Sequence, residues 1–243
     1  MSYLPNVLAA LGRLLTYPDE HTVQTAEYLY VVLQGEVPAA AEDASAFGAF
    51  AEQHEPWELE EVYTRTFDVN PACALEVGWQ LFGEEYARGM FLVRMREELR
   101  KYDLPESAEL PDHVTHVLAL VAAMPSDEAA RLVRACVQPA IEKMNGALDG
   151  KETPYRHVVR CLASVLAHAW GESAPLDGAA AAFDRSRPGE TDLLRAFPVA
   201  DVMCSPESAC GEQVELVPLR MNFSSASHRA GDGRPAFIEA REP

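Results

Sequence analysis

The sequence predicts an all-α protein, with a single helical bundle domain of about eight helices and a mostly irregular C-terminal tail. Between residues 4 and 170, apolar side chains recur at helical spacing in one segment after another. Proline and glycine separate these segments by short loops, and no alternation of strand and helix patterns indicates a parallel sheet. The chain has 243 residues, 48% of them apolar, which is enough for one sizeable core but hardly for two.

The first three predicted helices lie within residues 4–53. Pro5 fits the first turn of helix one, whose apolar stripe consists of Leu4, Leu8, Leu11 and Leu15. A second helix is predicted from His21 to Gln34, and Gly35 ends it. Residues 38–53 are rich in alanine and form a third helix by propensity.

Helices four to six alternate with loops that contain proline. Pro56 opens helix four, whose apolar stripe consists of Leu59, Val62, Tyr63 and Phe67. Helix five is predicted over residues 84–102, where a broad apolar face indicates a buried central helix. Trp79 and Phe82 precede it and are predicted to lie in or just after a loop. Helix six runs over residues 114–124.

Two further helices complete the predicted domain. Helix seven starts at Ser126, where acidic first-turn residues complement the helix dipole, and a kink is predicted at Pro139. Helix eight starts at Thr153, and beyond it Pro, Gly, Ser and Asp interrupt every apolar stripe. The predicted organisation is therefore a helical domain over residues 1–170 and a largely irregular tail over residues 171–243.

The chain is strongly acidic, with 38 Asp and Glu against 20 Lys and Arg and a formal charge of −18. This balance argues against nucleic acid as a partner. It reflects either simple solubility or the attraction of a basic peptide. No apolar run approaches the roughly 20 residues that span a bilayer. The N-terminus also lacks the features of an export signal, so we expect a cytoplasmic protein without a membrane span.

Common catalytic and cofactor motifs are missing from the sequence, which lowers the expectation of an enzyme. Asp112, His113 and His116 have a spacing that would begin a metal site at the start of helix six. The alternative is that Asp112 complements the helix dipole while the two histidines lie at the surface. Among the five cysteines, Cys204 and Cys210 are either ordinary reduced thiols of the tail or a redox or metal pair.

Two other groups of residues leave a choice between scaffold and binding surface. The aromatic residues Trp79, Phe82 and Tyr86 either plug the core or line a binding surface. The glutamates between Glu52 and Glu61 form either a solvated helix face or an acidic contact surface.

Three stretches of the sequence carry a family resemblance. They are LEEVYTRTFD at residues 59–68, LFGEEYARG at residues 81–89 and ELPDH at residues 109–113. Their order and spacing resemble the NarJ-like family, the nitrate reductase delta-subunit assembly chaperones, which is related to the TorD/DmsD redox-enzyme maturation chaperones. The resemblance covers most of residues 3–170 and adds little for the tail.

The resemblance implies a single all-helical domain that is a chaperone rather than an enzyme. Its partner would be the catalytic subunit of a molybdopterin-dependent oxidoreductase, bound through an N-terminal leader that is often a twin-arginine signal or its remnant. The chaperone would keep this client competent for insertion of bis-molybdopterin guanine dinucleotide. It would hold no cofactor permanently, because the cofactor ends in the client.

The resemblance also assigns candidate peptide-binding residues. It places Tyr63 and Phe67 in the helix that supports a binding groove. It places the polar pair Asp112 and His113 beside the groove. The candidate apolar contacts are Trp79, Phe82 and Tyr86, and the candidates for an acidic rim are Glu60 and Glu61. Acidic side chains at the rim would steer a basic leader, and its apolar part would enter the groove.

Two other classes of function remain open on the sequence. One is a metal-dependent hydrolytic enzyme that uses Asp112, His113 and His116 to activate water. The other is a permanent structural subunit of the oxidoreductase. The client itself would be either nitrate reductase or a related exported enzyme of the same molybdenum superfamily.

Overall fold

The computed structural model describes residues 3–171, which form an all-helical bundle. Its α-helical segments are α1 Leu4–Leu14, α2 Thr22–Leu33, α3 Pro38–Glu52, α4 Pro56–Tyr63, α5 Val77–Phe82, α6 Tyr86–Lys101, α7 Val114–Ala123, α8 Ser126–Leu132, α9 Gln138–Leu148 and α10 Tyr155–Trp170. The predicted fold class is confirmed. Apart from Gly171, the predicted tail lies outside the described residues, as do Cys204 and Cys210.

All eight predicted helices are present, but one short helix was not predicted. The segment that contains Trp79 and Phe82 forms helix α5 rather than a loop. A helix of six residues is too short to be stable by propensity alone, so its stability comes from tertiary contacts that the sequence pattern does not show. Predicted helix seven corresponds to α8 and α9 together.

Two π-helical turns interrupt the regular helices. Thr64–Asp68 continues α4, and Val133–Val137 joins α8 to α9. The second turn lies just before Pro139, which has no N–H to donate to the preceding turn. The predicted irregularity at this proline therefore takes the form of a wider turn. The first π turn carries Phe67 and Asp68.

The core contains a closed cluster of aromatic rings between α3, α4 and α10. The ring of Tyr155 lies 5.1 Å from Phe47, 5.6 Å from Tyr63 and 5.0 Å from Phe67, measured between centroids. All four side chains are buried, and such tilted and edge-to-face pairs add to the free energy of burial. This cluster fixes α4 and the following π turn against α10.

A short antiparallel bridge connects the segment before α5 to the start of α7. Val77 N donates a hydrogen bond to Asp112 O at 2.9 Å, and Val114 N donates to Leu75 O at 2.9 Å. The bridge holds Glu76 beside His113. Within residues 3–171, no helix combines the length and the apolar character that crossing a membrane requires.

Candidate functional site

A cavity of about 460 Å³ opens where four segments meet. These segments are the end of α1, the π turn after α4, the chain leading into α5 and the start of α7. Its walls carry aromatic rings, three carboxylates and one histidine: Tyr17, Tyr63, Phe67, Trp79, Asp68, Glu76, Glu109 and His113. We call it the acidic cavity.

Aromatic rings form the floor and one side of the acidic cavity. Tyr63 and Phe67 are buried at the floor, with ring centroids 5.2 Å apart. Tyr17 packs edge-on against Tyr63 at 5.6 Å and is 54% exposed, so its ring lies at the mouth. Because the floor rings also contact Tyr155 of the core, the floor is rigid.

Trp79 forms another wall, and hydrogen bonds fix the helix that carries it. Its indole Nε1 donates to Pro71 O at 2.8 Å. The adjacent Gln80 donates through its side-chain Nε2 to Ala74 O at 2.8 Å. The backbone carbonyl of Gln80 accepts from Lys143 Nζ at 2.6 Å. These bonds attach the middle of α5 to the segment that precedes it and to α9.

The charges on the cavity wall are negative. Asp68, Glu76 and Glu109 line it, and none of the three forms an ion pair within the described part of the chain. The lining residues include no Lys or Arg. Burial raises the pKa of Tyr63, and the nearby negative charges of these three carboxylates raise it further. Glu60 adds a fourth carboxylate at the mouth, where its Oε2 accepts from Tyr17 Oη at 3.2 Å.

His113 lines the cavity although it is only 4% exposed. It begins α7, where its Nδ1 accepts from Thr115 N at 3.4 Å and lies 2.8 Å from Thr115 Oγ1. This use of Nδ1 places the ring proton on Nε2, which has no hydrogen-bond partner among residues 3–171. Burial lowers the pKa of His113, although the carboxylates of Glu109 and Glu76 oppose the shift. The imidazole is therefore a neutral N–H donor at physiological pH.

Asp112 lies behind the cavity wall and is fully buried. Its Oδ2 accepts from Gly78 N at 3.0 Å and lies 3.8 Å from Arg88 Nε. Burial raises the pKa of Asp112 to about 6, against the opposing charge of Arg88. The expectation of an exposed first-turn carboxylate is therefore wrong, because the bridge between residues 75–77 and 112–114 covers this side chain with α5. Asp112 positions α5 rather than lining the cavity.

Three other predicted peptide-binding residues lie away from the acidic cavity. Phe82 is buried, and its ring lies 5.6 Å from that of Phe91. Phe82 therefore packs in the core, which is one of the two alternatives that the sequence left open. Tyr86 is 86% exposed at the start of α6. Glu61 is exposed on α4 and is not part of the cavity lining. The structure thus brings together Tyr63, Phe67, Trp79 and His113, with Glu60 at the mouth.

The two histidines at the start of α7 are buried. The alternative that His113 and His116 lie at the surface is therefore wrong. His116 is 8% exposed, and both of its ring nitrogens are used. Its Nδ1 donates to Leu110 O at 2.9 Å, and its Nε2 accepts from Ser107 N at 3.3 Å. No three His, Cys, Asp or Glu side chains in the described residues are arranged to hold a metal ion. Asp112, His113 and His116 therefore do not form the metal site that their spacing allowed.

Four of the aromatic and charged residues that line the acidic cavity were not predicted: Tyr17, Asp68, Glu76 and Glu109. Two of them carried a signal, since Asp68 ends one of the stretches that resemble the NarJ-like family and Glu109 begins another. Tyr17 stands in the loop after α1, and Glu76 precedes the helix that was not predicted. Nothing in the local pattern relates these two segments to each other.

Comparison with known proteins agrees with the resemblance seen in the sequence. The model of a family described as "Nitrate reductase delta subunit" matches residues 34–159, just over half of the chain. The nitrate reductase molybdenum cofactor assembly chaperones NarJ of Escherichia coli strain K12 and of Escherichia coli O157:H7 are each 27% identical to the chain over 152 residues. These alignments cover 61% of this chain and 64% of each relative, slightly less than two thirds of the relatives' length. The matched region contains every residue of the acidic cavity except those at the end of α1, and the chain belongs to the nitrate reductase delta subunit family.

Proposed function

We propose that this protein is a maturation chaperone that binds the N-terminal leader of the catalytic subunit of a molybdenum oxidoreductase. It would act in the cytoplasm, before the client is exported or attached to the membrane. The observation that carries the proposal is the acidic cavity itself. In a member of this family, one cavity is lined by Tyr63, Phe67, Trp79 and His113, four of the residues that the sequence resemblance proposed for peptide binding.

The chemistry of the cavity suits a basic, partly apolar segment better than it suits a small metabolite. Rigid aromatic walls offer apolar contact area, and the carboxylates favour a positive charge. The formal charge of −18 extends this attraction beyond the site and would speed encounter with a basic leader at low salt. A partner that enters through its N-terminal segment can be released once the client has folded around its cofactor.

The proposal assigns no reaction to the chain. The two Escherichia coli relatives are named as chaperones of molybdenum cofactor assembly, and by that likeness the cofactor belongs to the client. The cofactor of the client would be bis-molybdopterin guanine dinucleotide. Nitrate reductase is the first client to test, since both relatives carry its name.

Leader binding is tested with a synthetic peptide of the client's N-terminal segment and the full chain, by calorimetry and stopped-flow fluorescence. Binding should weaken with salt but persist, because salt screens the exposed charges and leaves the apolar contacts. Trp79→Ala should weaken binding at least tenfold, mainly through faster dissociation, because it removes a wall of the cavity. Tyr86→Ala is the matched control, since this ring is exposed and outside the cavity. Absence of leader binding at low salt would contradict the proposal.

A second experiment separates a chaperone from a permanent subunit. Cells that lack the protein should produce client with a low molybdenum content, measured by elemental analysis of the purified enzyme. Restoring the full chain should restore the metal without the chain appearing in the mature enzyme. Stoichiometric co-purification with the mature oxidoreductase would instead support the structural-subunit alternative.

A further inference from the structure

We infer that the acidic cavity holds the guanidinium group of an arginine side chain of the leader, while the apolar part of the leader packs outside it. This reverses the arrangement expected from the sequence, in which arginines meet an acidic rim and apolar residues enter the groove. The inference rests on the proposed function, because it identifies which part of the bound leader enters the cavity.

The acidic cavity carries negative charge without a counterion from residues 3–171. Asp68, Glu76 and Glu109 belong to three different segments and face one space. The guanidinium of Arg88 lies over Trp79, but it pairs with the buried Asp112 and does not line the cavity. A cation from outside would therefore relieve repulsion among the three carboxylates and gain attraction from each.

The walls of the acidic cavity favour a guanidinium over an ammonium group. Aromatic faces attract cations, and a flat guanidinium stacks on them more readily than an ammonium does. The Trp79 ring already has a guanidinium over it, with Arg88 Cζ 5.3 Å from its centroid. Carboxylates arriving from three directions match the five donors of arginine better than the single point charge of lysine.

His113 adds a hydrogen-bond donor to the cavity wall. This side chain is buried, lines the cavity and leaves Nε2–H without an acceptor within residues 3–171. This Nε2–H has no acceptor from the described residues, and a carbonyl of the bound leader beside the arginine would accept a hydrogen bond from it. Because the imidazole is neutral, it does not repel the incoming cation. The cavity thus offers an anionic centre, aromatic walls and one backbone-directed donor, which together describe a site for an arginine within a peptide.

The test uses the client's leader peptide with its arginines replaced one at a time by citrulline, which keeps the shape and removes the charge. One replacement should weaken binding to the full chain at least tenfold, and lysine at that position should restore less than half of the lost binding free energy. If every citrulline peptide binds as tightly as the unmodified leader, the inference is overturned while the proposed function stands.

Variants of the protein test whether Glu76 and Glu109 contact the arginine of the leader. Glu76→Gln and Glu109→Gln should each weaken binding of the arginine leader roughly five- to tenfold, in the range of charge-pair couplings at interfaces. Neither should affect binding of the sensitive citrulline peptide, because the charge that each carboxylate contacts is already gone. Glu61→Gln is the matched control, because this exposed carboxylate on α4 is not part of the cavity lining, and it should leave both affinities unchanged. Equal losses with both peptides would place the arginine elsewhere and overturn the inference.

A probe without any leader separates failure of the inference from failure of the proposed function. N-acetyl-arginine N-methylamide, titrated into the ¹⁵N-labelled full chain, should shift the indole N–H resonance of Trp79. The resonance of Trp57, an exposed ring outside the cavity, should stay in place, and the citrulline analogue should have no effect. A shift of Trp79 with no leader binding would support the arginine site and refute the leader-binding function. No shift of Trp79 at millimolar probe, in a protein that does bind the leader, would overturn the arginine site.

Discussion

Two of the surface cavities formed by residues 3–171 have similar size but different linings. The acidic cavity has a volume of about 460 Å³, and a groove between α9 and α10 has about 360 Å³. The second groove is lined mainly by small and aliphatic side chains, among them Ile141, Ala163 and Ala167. Volume alone therefore does not distinguish the two sites, whereas the rings and carboxylates of the first do.

The two cavities also differ in how their walls are built. The α9–α10 groove lies between two regular helices, whose packing leaves space where side chains are small. The acidic cavity is built from a π turn, a bridge and a six-residue helix, which depend on individual hydrogen bonds. Single substitutions should therefore disturb the acidic cavity more than the α9–α10 groove.

The largest effect is expected at a pair of glycines. A Cβ on Gly78 would lie 2.6 Å from Asp112 Oδ2 and 2.9 Å from Phe91 Cδ1, both buried, whereas a Cβ on Gly146 of α9 meets nothing within 4 Å. Gly78→Ala should lower the free energy of unfolding by about 2–4 kcal/mol through overpacking and a disturbed hydrogen bond. Gly146→Ala should raise it by about 0.5–1 kcal/mol, since alanine is the better helix former. Urea denaturation measures both, and equal responses would contradict the comparison.

The next effect concerns pH and the buried carboxylate behind α5. The pKa of Asp112 is about 6 in the folded protein, against an ordinary value of 3.8. Its protonated form therefore contributes stability that is fully present below about pH 4 and lost as the pH rises through about 6. Asp112→Asn keeps an acceptor for Gly78 N and does not titrate.

The free energy of unfolding of the wild type, relative to Asp112→Asn, should consequently fall by about 1–3 kcal/mol between pH 4 and pH 7. Denaturant titrations at several pH values measure this difference. Parallel pH profiles for the two proteins would show that Asp112 is not held in a raised-pKa environment.

Filling each cavity separates their roles in binding. Ala74 lines the acidic cavity and Ala167 lines the α9–α10 groove, and both are half-buried. Ala74→Leu should weaken leader binding about tenfold, or about 1.4 kcal/mol, because the added carbons occupy the space for the ligand. Ala167→Leu should leave the affinity unchanged. A loss of binding with Ala167→Leu alone would transfer the binding role to the α9–α10 groove.

The smallest effect is expected at the mouth. Glu60 accepts a hydrogen bond from Tyr17 at the cavity opening, whereas Glu61 lies outside the lining. Glu60→Gln should slow leader association roughly two- to threefold with little change in dissociation, as is usual for rim charges. Glu61→Gln should change neither rate. Stopped-flow measurements at low and moderate salt test this, and identical association rates for both variants would contradict it.

The sequence by itself determined the family and the α-helices of residues 3–171 other than α5. The leucine stripe of α1, Pro56 at the start of α4 and Ser126 at the start of α8 are local signals that tertiary contacts did not override. Tyr63, Phe67 and His113, which line the acidic cavity, were proposed from the sequence because each stands in a stretch that resembles other members of the family. Such stretches carry information on function that periodicity alone does not.

Only the tertiary structure decided which residues form one site. Helix α5 exists because Asp112, Pro71 and Ala74 accept its hydrogen bonds, and these acceptors lie in other segments of the chain. The same packing buries Asp112, which by local pattern is an ordinary first-turn carboxylate. It also brings Asp68, Glu76 and Glu109 around one space. Helical periodicity reports which face of each helix is buried, whereas the meeting of residues distant in sequence depends on how the helices pack, and no local pattern encodes that.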